Sequence, residues 1–171
     1  MAYYIGYIVH TWEMSALRSW VVTFLTFTAL YTGSDRGIFT TAIIATCLGL
    51  VGTVTSVAGN EIARKLCRGR YIICVVTVLI GLAFEIGFSS GGSYGLAAAL
   101  CLVYAGLIWA VSSSLTMRTV GGAKPERRGG TMAVHSMLGY FGVFLGPLAL
   151  GATLDLAGGI IRTPGGGRSC I

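Results

Sequence analysis

Apolar residues run through this chain in long blocks, and polar residues gather in the short breaks between them. Five blocks approach the ~20 residues that cross a bilayer as a helix. They span about Tyr7–Tyr31, Ile38–Gly59, Tyr71–Phe88, Leu96–Met117 and Thr131–Leu156. The breaks are TGSDRG, NEIARKLCRGR, SSGGSYG and RTVGGAKPERRGG, the last with Pro125, which bars a continuous helix. MAYYIG reads as an interfacial or helical lead-in, and residues 160–171 as a Gly-rich tail without a sixth apolar run. The pattern predicts an all-α polytopic membrane protein, with about five transmembrane helices forming one bundle over residues 1–159.

Composition strengthens this picture. Of 171 residues 54% are hydrophobic and 11% charged, with a mean hydropathy of +0.79. A soluble domain carries about 25% charged residues on its surface, so this chain has too few to cover a globule. The 26 glycines favour helices whose backbones approach closely. Gly49, Gly52, Ser56 and Gly59 recur at spacings of three and four in the second block, as do His135, Gly139, Gly142 and Gly146 in the fifth. Each set marks one helix face. The expected role of these faces is packing within the bundle; a gliding surface between moving helices is the sharper alternative. Pro147 should kink the fifth helix and free carbonyls.

The net charge is +6, and its placement sets the orientation. Arg64, Lys65, Arg68 and Arg70 form one cluster; Arg118, Lys124, Arg127 and Arg128 form another. Both follow an even number of spans, so both lie on one side, which the positive-inside rule makes the cytoplasm. The N-terminus is then cytoplasmic, in an integral protein of the inner or plasma membrane, although Arg162 and Arg168 in the tail count mildly against it. Neither cluster interleaves aromatics for base stacking, which argues against nucleic acid as a partner. No cleavable signal peptide is read, since no basic residue precedes Arg18. Cys47, Cys67, Cys74, Cys101 and Cys170 have no regular spacing and read as reduced apolar fillers.

Within the first block, HTWEMSALRSW puts His10, Glu13 and Arg18 within nine positions. An ionisable group at mid-bilayer costs at least about 2.5–3.5 kcal/mol, so it normally faces a cavity or a partner. His10 and Glu13, three apart, share a helix face; Arg18 is five beyond Glu13, roughly 140° round, and pairs with it poorly. Two readings follow. His10, Glu13 and Arg18 line a polar cavity, with Glu13 or His135 carrying a coupling proton; or they build the bundle and sit near its cytoplasmic headgroups. Trp12 and Trp20 suit interfacial anchoring or packing more than substrate stacking. Ser112, Ser113, Ser114 and Thr116 could offer hydroxyls to a solute, but bonding back to their own helix is commoner.

Catalytic patterns are weak. GFSSG matches G-x-S-x-G but lies at a helix end, away from either histidine, where no strand–turn–helix elbow forms. His10 and Glu13 form an H-x-x-E pair with only His135 as an obvious third ligand, short of a metal site. There is no P-loop and no H-E-x-x-H. No enzyme, metal or cofactor is read from the chain.

Three segments, in order, resemble a known family: YIVHTWEMSALRSWVVTFLTF, SVAGNEIARKLCRGRYI and ERRGGTMAVHSMLGYFGVFLGPLALGATLDLAGG. Together they look like the seventh to eleventh helices of a major facilitator superfamily transporter, over nearly the whole chain to Gly159. The resemblance implies a partial half-bundle, with a cavity between two halves, alternating access and often proton or ion coupling. Gly59, Arg64, Arg68 and Arg70 match the family's cytoplasmic Gly-x-x-x-Asp-Arg-x-Gly-Arg-Arg loop. Ala63 replaces its aspartate, which removes the acid of the usual latch. One half supplies one cavity wall, so the chain is expected to move a small solute only with a missing N-terminal half or a partner subunit. The alternative is a non-catalytic membrane subunit or a gene remnant without transport activity.

Overall fold

A computed structural model describes residues 2–33, 40–66, 68–89 and 92–156; for residues 2, 3 and 68 it describes only the backbone. The Gly-rich tail, Cys67, Cys170 and most of the first polar break lie outside the described residues. The described residues form five long helices: α1 (Ala2–Thr32), α2 (Thr41–Lys65), α3 (Arg68–Ser89), α4 (Tyr94–Gly121) and α5 (Arg128–Leu156). No strand occurs among the described residues.

Four of the helices, α2 to α5, are long and apolar enough to cross a membrane. The protein is therefore an all-α bundle of membrane-spanning type. α1 is long enough at 31 residues, but His10, Thr11, Glu13, Ser15 and Arg18 make its first half too polar to join that set.

The helix ends differ from the block edges for local reasons. MAYYIG is part of α1 from Ala2 onward. α2 runs through NEIARK to Lys65, and Arg64 and Lys65 in its last turn suit the negative end of the helix dipole. Its start is capped by Thr40, whose Oγ1 accepts from the Ile43 amide at 3.4 Å. Pro125 does interrupt the polypeptide between α4 and α5. It begins a short 3-10 turn (Pro125–Arg127) that leads straight into α5, a place where its missing N–H costs nothing.

The bundle is organised around α4, which packs against each of the other four helices. Half of its apolar stretch is buried, against 22%, 17% and 17% for α2, α3 and α5. The closest pairs are α2 with α4 and α1 with α5. Within each pair the helices run parallel: Tyr7, Trp12 and Trp20 meet successively later residues of α5, from Gly139 to Gly151, and Val51 and Ser56 meet Gly106 and Ser113 of α4.

Both pairs close on the small-residue faces. A Cβ on Gly59 would lie 2.6 Å from the Ala110 Cα, and one on Gly52 would lie 2.5 Å from the Trp109 Nε1. A Cβ on Gly142 would lie 2.5 Å from the Ile8 carbonyl oxygen, and one on Gly146 2.5 Å from that of Trp12. The backbones are near enough that only glycine fits. Gly49, by contrast, has nothing within 4 Å of its Cβ position.

Candidate functional site

Two polar regions lie on opposite sides of α1, one buried around His10 and His135 and one opening at the exposed Arg18. The first begins with Tyr7, whose ring stacks on His135 of α5 with centroids 3.6 Å apart and lies 6.3 Å from the His10 ring. His10 and His135 are 5% and 2% exposed. The His135 Nε2 is 3.2 Å from the Thr116 Oγ1 of α4. Among the described residues, His135 Nδ1 and His10 Nε2 have no hydrogen-bond partner.

One turn further along α1, the Tyr104 hydroxyl of α4 donates to the Glu13 carboxylate. Glu13 and Tyr104 also line a groove of about 410 Å³ between α3 and α5, together with Trp12, Ile86 and Leu150. A neighbouring apolar cavity of about 430 Å³ continues along α1 past Trp20 and Phe27. Trp20 Nε1 donates to the Pro147 carbonyl at 3.4 Å, so this indole joins helices within the bundle.

The second region holds Arg18. The ~140° separation from Glu13 expected of an ideal helix turns Arg18 toward α2 and away from α5. It lines a cavity of about 440 Å³ between α1, α2 and α4, with Leu48, Gly49, Thr53, Ile108 and Trp109 among its walls. The fold therefore does not bring His10, Glu13 and Arg18 into one cavity. His10 and His135 meet around Tyr7, Glu13 bonds to Tyr104, and Arg18 stands apart.

The serine-rich segment of α4 mostly bonds to helical carbonyls. Ser114 donates to Ala110 at 3.3 Å and Thr116 to Ser112 at 3.1 Å. Ser113 also crosses to α2, donating to the Ser56 carbonyl at 2.8 Å. In GFSSG, Ser89 donates to the Ile86 carbonyl at 2.9 Å, while Ser90 and Gly91 lie outside the described residues. Among the described residues, no three His, Cys, Asp or Glu side chains come together as a metal site.

The basic-loop residues divide by role. Gly59 is buried against Ala110 of α4. Arg64 pairs with Glu61 at 2.9 Å and Lys65 reaches the same carboxylate at 3.7 Å. These are exposed pairs within one helix, so Glu61 does not bridge to another element. Arg70 is exposed at the start of α3, and the Arg68 side chain lies outside the description.

Sequence reasoning missed Tyr7, Tyr104 and Trp109. Tyr104 and Trp109 carry a usable signal. Tyrosine and tryptophan concentrate at membrane interfaces, and these two stand near the middle of an apolar helix, where polar atoms need a partner. No protein-family model matches the chain, and neither a curated protein nor a solved structure matches it.

Proposed function

We propose that this chain is one wall of a secondary transporter that moves a small solute across a membrane by alternating access. The reading rests chiefly on Arg18, a permanent charge placed midway along α1 beside a cavity between three helices. Such residues in membrane bundles normally mark solute or ion pathways. The ordered resemblance to the second half of major facilitator transporters supports the same reading. On it, α1, α2 and α4 face the solute path, and a second half or partner subunit closes the cavity. Glu13 and His135 are the groups available for a coupling proton. The clusters at the end of α2 and the start of α5 lie in the cytoplasm.

A test independent of the solute is thiol access to Thr53, on the cavity wall. Thr53→Cys, in a chain with its native cysteines replaced, is expected to react with a membrane-impermeant thiosulfonate from either face. The partner or second half must be present. Reaction from one face only, or from neither, would rule out alternating access at this cavity.

A further inference from the structure

The cavity beside Arg18 has a donor excess that nothing in the bundle balances. A guanidinium cannot give up its proton at any accessible pH, so it needs a negative partner or water. Arg18 makes no ion pair or hydrogen bond among the described residues, and no carboxylate lines its cavity. Glu13 is engaged with Tyr104 and lines a different groove. Glu61 is held by Arg64 and Lys65 at the end of α2. Arg18 stands roughly 21–24 Å along α1 from either end, at 1.5 Å per residue, and its side chain is exposed at the mouth of the cavity. The indole N–H of Trp109, a donor only, has no acceptor among the described residues either. The one hydroxyl on the wall, Thr53, spends its hydrogen on the Gly49 carbonyl at 3.1 Å.

Leu48, Val21 and Ile108 line the walls with the Trp109 ring. A volume of about 440 Å³ falls in the range of small-molecule sites, about 300–1,000 Å³. One cation neutralises one negative charge. A dianion such as phosphate or sulfate would leave one of its charges without a partner on these walls. A carboxylate matches the planar guanidinium with two parallel N–H···O bonds.

We infer that the cavity between α1, α2 and α4 binds a small organic monoanion, a monocarboxylate with an apolar or aromatic body, through the Arg18 guanidinium. The inference names the substrate class of the transport reading and rests on that reading only for the claim that the anion is carried.

The test is equilibrium binding of benzoate to the full chain in nanodiscs, by calorimetry, with benzamide as the neutral isostere and sulfate as the dianion. Benzoate is expected to bind saturably, with benzamide and sulfate at least tenfold weaker. Arg18→Gln should weaken benzoate at least tenfold, and Arg18→Lys less. Gly49→Leu, which adds bulk where a Cβ meets open space, should block binding while leaving Arg18 in place. Each variant is first checked for an unchanged elution profile and melting temperature, and Gly49→Leu stands in if Arg18→Gln fails to fold. Equal binding of benzoate and benzamide, no loss in Arg18→Gln, or unaffected binding in Gly49→Leu overturns the inference. So does no saturable benzoate binding to the parent chain, including the case where Arg18 instead pairs with a carboxylate of a partner protein. Saturable binding with Thr53→Cys reactive from one face only would sink transport and leave the site standing. Two-faced reactivity without binding would do the reverse.

Discussion

Ser15 Oγ donates to the carbonyl of Val143 at 2.8 Å, the carbonyl left without its helical N–H by Pro147 four residues on. α1 thus repairs the backbone defect that the proline makes in α5. Removing the hydroxyl should leave an unpaired carbonyl at the α1–α5 interface. Ser15→Ala is expected to lower stability by about 0.6–1.7 kcal/mol, the range of side-chain hydrogen bonds in membranes. Pro147→Ala restores the intrahelical donor, so the Ser15→Ala cost should shrink in that background. Reversible unfolding in bicelles across the four-member cycle checks it; additive costs would show that the two residues are not coupled.

The glycines of the α1–α5 seam should be intolerant of a single methyl group. Gly142→Ala and Gly146→Ala place a Cβ against backbone atoms of α1 that cannot swing aside. Overpacking of this kind typically costs about 1–3 kcal/mol. Gly81→Ala meets nothing within 4 Å and should be neutral or slightly stabilising. Comparing the melting temperatures of the three variants in one detergent separates a seam effect from a general dislike of alanine.

Glu13 and Tyr104 should respond unequally to substitution. Tyr104→Phe removes the donor and strands a half-buried carboxylate. Hydrogen bonds to charged groups contribute about 1.5–3 kcal/mol, and a loss of that order is expected. Glu13→Gln keeps an acceptor for the Tyr104 hydroxyl and should cost less than half as much. Equal losses in chemical unfolding would mean that the hydroxyl–carboxylate bond is not what stabilises the contact.

The end of α2 and the start of α5 should lie on the same side of the membrane. Lys65→Cys and Lys124→Cys are expected to react with an impermeant maleimide from one face only, the cytoplasmic one. A cysteine at Ser93, at the start of α4, should react from the opposite face. Labelling of all three from one side would break the helix alternation.

Much of the bundle is legible in the chain, and the reason lies in helix geometry. Gly139, Gly142 and Gly146 share a face because they recur at three and four, and they are buried as a set. Periodicity says which residues lie together on a helix, not which helix they will meet. Nothing in the local pattern pairs Glu13 with Tyr104, 91 positions away. Nor does it turn Arg18 toward Trp109 of α4, or bring Tyr7 onto His135. Those neighbours depend on how closely the backbones can approach, which the glycines of α2 and α5 permit only along two seams. The end of the second block was harder to place than its middle, because Asn60, Glu61 and Arg64 look like loop yet continue α2 to Lys65.

α1 and α5 pack along each other, and this constrains how the bundle is assembled in time. α1 is the one long helix among the described residues that is not apolar enough to join the candidate spans, and it is made before the other four. Its Glu13 waits for Tyr104 and its Ser15 for Val143 of α5. Until α5 arrives, α1 holds unmet polar groups that a lipid environment does not accommodate. The α1–α5 seam closes like a clasp whose two halves are separated in synthesis by three helices, so α5 sets the moment at which the polar groups of α1 are met.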